Sequence, residues 1–353
     1  MTHLHQPYER AGLALRNRVA MAPMTRSRAI GNLPNALMAD YYGQRAGAGL
    51  VITEGTAPSP EALGYARIPG LFDEAQRAGW AAIADAVHAG GAQLYVQLMH
   101  AGRIGHPDNL PRGAVLLGPS AVAAAGTIWT DANGQQPHPA PKAMDAGDLV
   151  RVRAAFVESA KLARAAGADG VELHAANGYL LAQFLNPRSN VRTDAYGGPA
   201  ANRRRFVLET VDATVAAIGA GRVGIRLSPF NPYNDLAAGY DGEREEFLAL
   251  VDELATRGLA YLHLGGGTVD DALLAEVRAK WPGTLIVNGG YDAPRAEAVL
   301  GRGLADIVAF GAPFIANPDL PDRLRLGLPL ATPDPATFFS ADARGYTDWP
   351  AAA

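Results

Sequence analysis

A regular alternation of short apolar runs and longer helical patterns limits the fold of this chain more than any other feature. Eight runs have the length and the apolar or β-branched composition of buried strands: residues 18–23, 49–54, 92–99, 170–174, 223–228, 261–265, 285–290 and 306–311. Apolar residues recur at helical spacing in stretches between them: 75–90, 150–167, 201–219, 243–258 and 293–303. Such βα units build parallel sheets, and eight of them predict an α/β fold, a single closed (β/α)8 TIM barrel.

Two segments depart from this alternation. Residues 104–147 are rich in Pro and Gly, lack a helical period and follow the third predicted strand. In a barrel, such an excursion lies over the catalytic face, and we expect it to act as a lid. Residues 329–353 hold no further βα unit, but their aromatic side chains predict a tail packed on the barrel. The prediction is therefore one domain over residues 1–353.

The composition excludes several classes of protein. The chain has no cysteine, so disulfides, iron–sulfur clusters, thiolate zinc sites and cysteine nucleophiles are ruled out. A net charge of −4 without a basic stripe argues against nucleic acid as a partner. The start of the chain lacks a signal-peptide pattern, and no apolar run reaches membrane-spanning length. We expect a cytoplasmic monomer or weak homodimer with a small-molecule partner and no membrane. We expect no metal site either, since His3 and His5 lack carboxylate neighbours.

Polar side chains and glycines collect at the carboxyl ends of the predicted strands, where barrel enzymes carry their chemistry. The polar set is Thr25, Gln97, His174, Asn177, Tyr179 and Arg226. Gly289 and Gly290 end strand seven, and Phe310, Gly311 and Ala312 end strand eight. Glycine turns at these two ends predict a phosphate site built from backbone N–H groups and helix N-termini. The open alternative is a pair of plain tight turns, for which glycine is also suited.

A phosphate bound there would place the rest of its ligand over the barrel mouth, near Thr25, Gln97 and Arg226. An amide both donates and accepts hydrogen bonds, a hydroxyl donates, and a guanidinium stabilises developing negative charge. The three groups suit a flat ring edged with carbonyl and imide groups, as in a flavin. The alternatives are that Thr25 caps a turn and that Arg226 pairs with a core carboxylate.

Seven stretches span nearly the whole chain: "PMTR" (23–26), "TEGT" (53–56), "QLMHAGR" (97–103), "VELHAANGYLLAQFLNPRSNVRTDAYGG" (171–198), "NRRRF" (202–206), "AFGAPFIANPDL" (309–320) and "GYTDWP" (345–350). In this order they resemble the Old Yellow Enzymes, FMN-dependent NAD(P)H ene-reductases, in the subclass with Thr rather than Cys at position 25. The resemblance implies an FMN site formed by Pro23, Met24, Thr25, Ala57, Gln97, His174, Arg226, Gly289, Gly290, Phe310, Gly311 and Ala312. Arg226 would lie near N1 and the C2 carbonyl of the flavin, and Thr25 would hydrogen-bond the C4 carbonyl.

The resemblance also implies a reaction. NADPH or NADH would reduce FMN, and the reduced flavin would transfer hydride to the β-carbon of an activated alkene. His174 and Asn177 would bind the carbonyl or nitro oxygen, and Tyr179 would protonate the α-carbon, with Tyr65 and Met99 in the substrate pocket. From the residues alone, His174 as a core histidine, Asn177 as a helix cap and Tyr179 as a packing aromatic stay open.

Three positions depart from the commonest pattern of that family. Met99 replaces a frequent Trp, Phe339 replaces a usual Tyr, and Ala312 stands where an Arg commonly meets the FMN phosphate. Met99 predicts a more flexible pocket wall, and Ala312 predicts weaker FMN binding.

Three other functions are compatible with parts of this pattern. A nitrate ester or nitroaromatic reductase would use the same site, and a flavin-binding protein without turnover would need a broken proton donor or oxygen site. A phosphate-binding barrel lyase or aldolase needs a Schiff-base lysine at a strand end. The only lysines are Lys142, Lys161 and Lys280, which fall in the excursion or in predicted helices.

Overall fold

The computed structural model describes residues 2–266 and 269–352, and in these ranges eight parallel strands form a closed barrel. Each strand overlaps one of the predicted runs: β1 (Val19–Met21), β2 (Leu50–Ile52), β3 (Gln93–Leu98), β4 (Gly170–Ala175), β5 (Val223–Leu227), β6 (Tyr261–Leu264), β7 (Thr284–Asn288) and β8 (Ile307–Phe310). Strand β8 pairs with β1 and closes the barrel. The predicted (β/α)8 fold is confirmed.

Helices of the described chain lie in every connection between barrel strands: α1 (Ala36–Gln44), α2 (Glu74–Ala89), α3 (Ala146–Ala165), α4 (Leu180–Leu185), α5 (Ala200–Arg203), α6 (Arg205–Ile218), α7 (Glu243–Ala255), α8 (Asp271–Lys280) and α9 (Ala293–Gly301), with α10 (Ala312–Ala316) and α11 (Leu320–Leu326) after β8. Aspartate side chains begin several of them. Asp73 caps α2, and Asp145 forms a capping box with Asp148 in α3.

The barrel strands are buried on both faces. All six residues of β4 and all five of β5 are buried. Strands covered on both sides read as continuous apolar runs, which is why the sequence reveals them. A polar residue in such a strand needs a hydrogen-bond partner inside the protein.

A short antiparallel hairpin, Tyr8–Arg10 with Leu13–Leu15, covers the amino end of the barrel. Its buried side chains belong to the same apolar cluster as Leu50, Ile52 and Tyr95 of the barrel strands. The hydroxyl of Tyr8 lies 2.8 Å from that of Thr284, the first residue of β7. Because this end is closed, access to the barrel interior is from the carboxyl ends of the strands.

The excursion predicted after strand three lies between β3 and α3, as expected. Within it, Leu117–Gly118 pairs with Lys142–Ala143, and Thr127–Thr130 forms a hairpin with Gly134–Pro137. An ion pair between Arg67 and Asp131 ties the hairpin to the segment after β2. The hairpin covers the carboxyl face of the barrel, because several of its residues line the cavity that opens there.

Two buried arginines after β1 bind the C-terminal tail. Arg26 Nη2 donates to the Gly345 carbonyl at 2.8 Å, and Arg28 Nη2 donates to the Thr337 carbonyl at 2.8 Å. The ring of Tyr346 stacks on that of Tyr41 in α1, with centroids 3.9 Å apart. The tail is thereby held next to the end of β1.

Candidate active site

A cavity of about 1040 Å³ opens at the carboxyl ends of the barrel strands. Twelve residues that the sequence analysis selected line it: Pro23, Met24, Thr25, Tyr65, Gln97, Met99, His174, Asn177, Tyr179, Arg226, Gly311 and Ala312. They come from the ends of five barrel strands and from the segment after β2. A large cavity at this face of a barrel is where an active site is expected.

Four selected residues are not among those that line the cavity: Ala57, Gly289, Gly290 and Phe310. The backbone of Ala57 is fully buried, with its N–H on the Pro69 carbonyl and its own carbonyl bonded to the Leu71 N–H, both at 2.9 Å. Gly289 and Gly290 follow the lining residue Asn288 and have φ values of +149° and +64°, a region that favours glycine. A role for these residues in cofactor binding stays a prediction.

A row of buried polar side chains extends from the lining residue Gln97 into the barrel interior. Gln97 Nε2 donates to Glu172 Oε1 at 2.7 Å, and Glu172 Oε2 lies 2.8 Å from His263 Nδ1. The strand register explains the row, because Glu172 pairs with Gln97 and Arg226 pairs with both His174 and His263. Burial alone would raise the pKa of Glu172, but His263 and Arg226 outweigh it and the pKa is lowered. Gln97 is thus held by a buried carboxylate.

Glu172 and His263 were not predicted as site residues from the sequence. The available signal was a polar residue in the middle of an otherwise apolar strand, in "GVELH" and in "YLHLG". Their pairing across 91 residues of chain is a consequence of barrel closure.

Two buried nitrogens in the lining lack a hydrogen-bond partner among the described residues: Arg226 Nε and His174 Nδ1. An unsatisfied buried polar atom costs about 1–3 kcal/mol, so a bound group that meets these atoms would be stabilising. Arg226 Nη2 donates to Asn288 Oδ1 at 3.2 Å, and no carboxylate lies within ion-pair distance of it in the described chain. Together with Gln97 and Thr25, these donors fit the carbonyl and imide edge of FMN.

One wall of the cavity carries two tyrosines beside His174. The hydroxyl of Tyr179 donates to that of Tyr65 at 3.1 Å, and the ring of Tyr179 meets that of His174 edge to face at 4.9 Å. Burial raises the pKa of Tyr179 well above its usual value and raises that of Tyr65 to about 12. Burial, followed by the charge of Arg226, lowers the pKa of His174. Both phenols and the imidazole are therefore neutral at physiological pH.

Asn177 adopts a left-handed backbone conformation, with φ of +54°. Its N–H donates to Ser228 Oγ at 2.7 Å, and its side-chain Oδ1 accepts from Asn231 Nδ2 at 2.9 Å. It does not cap α4, which begins at Leu180. His174 Nδ1 has no partner within the part of the chain that the structure describes, unlike a satisfied core histidine, and both residues line the cavity.

The rim of the cavity includes residues that the sequence analysis did not select. Trp129 and Asp131 come from the hairpin of the excursion, and Asn231 and Tyr233 come from the loop after β5. Phe339 of the tail, one of the three departures from the family pattern, also lines the rim and is 58% exposed. Loops of this kind carry few local sequence signals, because their positions depend on contacts with the barrel.

The lysines needed for a Schiff-base mechanism lie elsewhere. Lys142 pairs with Asp145 and Asp148, Lys161 with Glu158, and Lys280 with Asp252, all outside the cavity lining. Within residues 2–266 and 269–352, no group of three His, Asp or Glu side chains is arranged to hold a metal ion. No helix in those ranges is long and apolar enough to cross a membrane.

The donors at the carboxyl face of this TIM barrel suit a flavin cofactor. A family model described as "NADH:flavin oxidoreductase / NADH oxidase family" matches residues 3–331. The chain belongs to this family, and its resemblance to the Old Yellow Enzymes is confirmed. FMN is the cofactor and a nicotinamide nucleotide is the hydride donor.

Similar proteins align over almost the full length. The chain is 43% identical to a chanoclavine-I aldehyde reductase of Penicillium roqueforti (strain FM164), covering 99% of this chain and 96% of that protein. It is 39% identical to a probable flavin mononucleotide-dependent alkene reductase of Leishmania infantum, covering 96% and 94%. The solved structure of morphinone reductase in complex with tetrahydroNAD has a TM-score of 0.95 at 44% identity, covering 100% of this chain and 98% of that chain.

Proposed function

We propose that this protein reduces the carbon–carbon double bond of α,β-unsaturated carbonyl compounds, maleimides and nitroalkenes. The observation that carries the proposal is the wall of His174, Asn177, Tyr179 and Tyr65, which combines hydrogen-bond donors for an oxygen with a neutral phenol in one cavity. FMN, when bound, supplies the hydride that adds to the β-carbon of the alkene.

His174 and Asn177 bind the substrate oxygen. Hydride addition to the β-carbon moves negative charge onto that oxygen, and donors fixed in advance stabilise the charge as it develops. Asn177 Oδ1 is already bonded to Asn231, so Nδ2 is the atom left for the substrate. The low pKa of His174 keeps its imidazole neutral, so it acts as a hydrogen-bond donor and not as an acid.

Tyr179 is the proton donor to the α-carbon. Its raised pKa means that the phenol holds its proton at any physiological pH. Without substrate the Tyr179 hydroxyl donates to Tyr65, which is itself buried and neutral and so holds the hydroxyl in place. The Tyr179 O–H then turns from Tyr65 to the α-carbon to deliver its proton. Positioned general acids of this kind typically contribute 10²- to 10⁴-fold to a rate.

The cofactor-binding set is part of the proposal. Thr25, Gln97 and Arg226 would meet the polar edge of the FMN ring, and Pro23, Met24 and His174 would border it. Backbone groups at Gly289, Gly290, Phe310, Gly311 and Ala312 would meet the phosphate. Ala57 is the weakest member of the set, since both of its backbone groups are bonded within the protein.

The test separates the two half-reactions. Purified protein should be yellow and should bleach under NADH or NADPH without oxygen. Anaerobic addition of cyclohexenone, a maleimide or a nitroalkene should restore the colour and give the saturated product. A nitrate ester and a nitroaromatic in the same panel test the second candidate activity, which needs the same oxygen donors. Bleached protein that only oxygen reoxidises would contradict the proposal.

We also propose a monomer or weak homodimer in the cytoplasm, as expected from the sequence. Light scattering over a range of protein concentrations and cell fractionation test these two points.

A further inference from the structure

The side-chain amide of Asn177 carries an NH2 group and an oxygen of similar size, one a hydrogen-bond donor and the other an acceptor. Its NH2 group can donate to a substrate oxygen, whereas its carbonyl oxygen would repel one. One side of the amide faces the cavity and the other faces the protein. The protein group on that second side therefore decides whether Asn177 helps or hinders binding of the substrate oxygen.

A hydrogen-bond chain that starts at the backbone fixes this choice. The Tyr233 N–H donates to Asn231 Oδ1 at 3.1 Å, and a backbone N–H can only donate. The Asn231 amide is thereby oriented with Nδ2 on its other side, where it donates to Asn177 Oδ1 at 2.9 Å. The NH2 group of Asn177 is left for the cavity that both asparagines line.

Local sequence explains why Asn231 takes this position. An Asn side chain that accepts from the N–H two residues later forms an Asx turn. Pro232 lies between the two and has φ of −77°, close to the value that its ring imposes. Asn231 is only 8% exposed, although it lies in a loop, so its polar groups depend on these partners.

The same loop also holds the backbone of Asn177. Ser228 Oγ accepts from the Asn177 N–H, and Asn234 Nδ2 donates to the Asn177 carbonyl at 2.8 Å. These two bonds fix where the residue lies but not which way its amide faces. Among residues 2–266 and 269–352, Asn231 is the one hydrogen-bond partner of the Asn177 side-chain amide.

We infer that Asn231 is a positioning residue that orients the Asn177 amide with its NH2 group toward the substrate oxygen. The inference rests on the proposed function, because it gives Asn177 the role of oxygen donor. Asn231 acts through Asn177, so its effect should vanish when the Asn177 side chain is absent.

The experiment is a double-mutant cycle on the FMN-loaded protein. Asn231→Asp replaces the donor by an acceptor. The Asn177 amide then has to turn its NH2 group toward the new carboxylate and its oxygen toward the substrate. Asn177→Gly removes the amide and suits the positive φ at that position. The probe is a para-substituted phenol, whose phenolate places an oxyanion at the substrate site, with its affinity measured from the charge-transfer absorption. KM and kcat for cyclohexenone are measured alongside.

In the presence of Asn177, Asn231→Asp should weaken phenolate binding by about ten-fold or more, as expected for a lost hydrogen bond to a charged group. In the Asn177→Gly background it should change the affinity by less than two-fold. Asn231→Leu, which removes the donor without adding charge, should follow the same pattern with a smaller loss. Equal losses in both backgrounds would overturn the inference, since they indicate a charge effect or a distorted loop.

A control variant addresses loop distortion directly. Asn186 holds the far end of the same loop through the carbonyl and N–H of Ala237, at 2.8 and 3.1 Å. Asn186→Leu loosens that end without touching Asn177, so any effect should be the same in both backgrounds. If Asn177→Gly alone leaves phenolate affinity unchanged, the proposed role of Asn177 fails. If only Asn231→Asp is without effect, the positioning role of Asn231 fails while that of Asn177 stands.

Discussion

Burial gives the side chains of the site the protonation states that they need. Burial raises the pKa values of Tyr179 and Tyr65 and lowers that of His174. A neutral imidazole and two neutral phenols avoid the cost of placing isolated charges in the cavity. Arg226 is a buried cation among the lining residues, and in the proposed function it meets the polar edge of the FMN ring.

Tyr179→Phe tests the proton donor. Reduction of the flavin by NADH needs no proton from this residue and should be nearly unchanged. Reoxidation by cyclohexenone should slow by about 10²-fold or more, because the α-carbon then has to find another acid. Anaerobic stopped-flow measurement of each half-reaction checks this prediction. Equal slowing of both halves would remove Tyr179 from the role.

Met99→Trp tests the pocket wall. A Cβ added at Gly55 would lie 2.5 Å from Met99 Sδ, so Met99 is already packed tightly on that side. A larger side chain has to extend into the cavity, and rates on bulky β-substituted enones should fall about ten-fold relative to cyclohexenone. Met99→Leu, with similar volume, is the matched control. Unchanged relative rates would contradict a role for Met99 in substrate selection.

At the scale of secondary-structure elements, the sequence predicts those elements whose burial sets their residue pattern. Strands β1 to β8 read as apolar runs because both faces of a parallel barrel are covered. The Thr127–Thr130 hairpin did not stand out, since "TIWT" and "GQQP" carry a weak and mostly polar pattern. Glu172 and Asn231 were missed because their partners are fixed by barrel closure and by loop packing, which one sequence does not reveal.

Glu54 joins three elements and gives a prediction on pH. It follows β2, accepts from the hydroxyl of Tyr42 in α1 at 3.3 Å and accepts from the Arg26 N–H after β1 at 3.2 Å. Burial raises the pKa of Glu54 from 4.5 to about 7. Between pH 4.5 and about 7, Glu54 is therefore protonated in the native state but ionised in the unfolded state. The free energy of unfolding falls as pH rises through that window.

Glu54→Gln should remove this dependence. The variant should gain stability over the original protein as pH rises from 5 to 8, by an amount on the order of 3 kcal/mol at pH 8. Urea unfolding at both pH values with saturating FMN provides the comparison. A stability difference that does not change with pH would contradict the raised pKa.

At the scale of the whole molecule, distant segments converge on one face. Residues from Ala22 to Ser340 line the cavity, and Arg26 and Arg28 hold the tail next to Met24 and Thr25. Both arginines also donate to the carbonyl of Phe338, and Arg67 Nη2 donates to that of Phe339 at 3.0 Å. Phe338 and Phe339 line the cavity. A cofactor bound across the face would contact both halves of the chain, so its affinity reports on the whole assembly.

Ala312→Arg tests that affinity at its weakest expected point. Ala312 begins α10 at the cavity edge and supplies no side-chain donor for the FMN phosphate. An added guanidinium should contribute bidentate, charge-assisted hydrogen bonds and tighten FMN by roughly one to two decades, with a smaller gain at high salt. Fluorescence titration of FMN into apoprotein measures the change.

One guanidinium already lies near the β7 turn, since Arg295 Nη1 donates to the Gly290 carbonyl at 2.8 Å. Arg295→Met is therefore titrated in parallel. If it loosens FMN while Ala312→Arg has no effect, Arg295 already fills the place of the missing arginine and the predicted deficit at Ala312 is wrong.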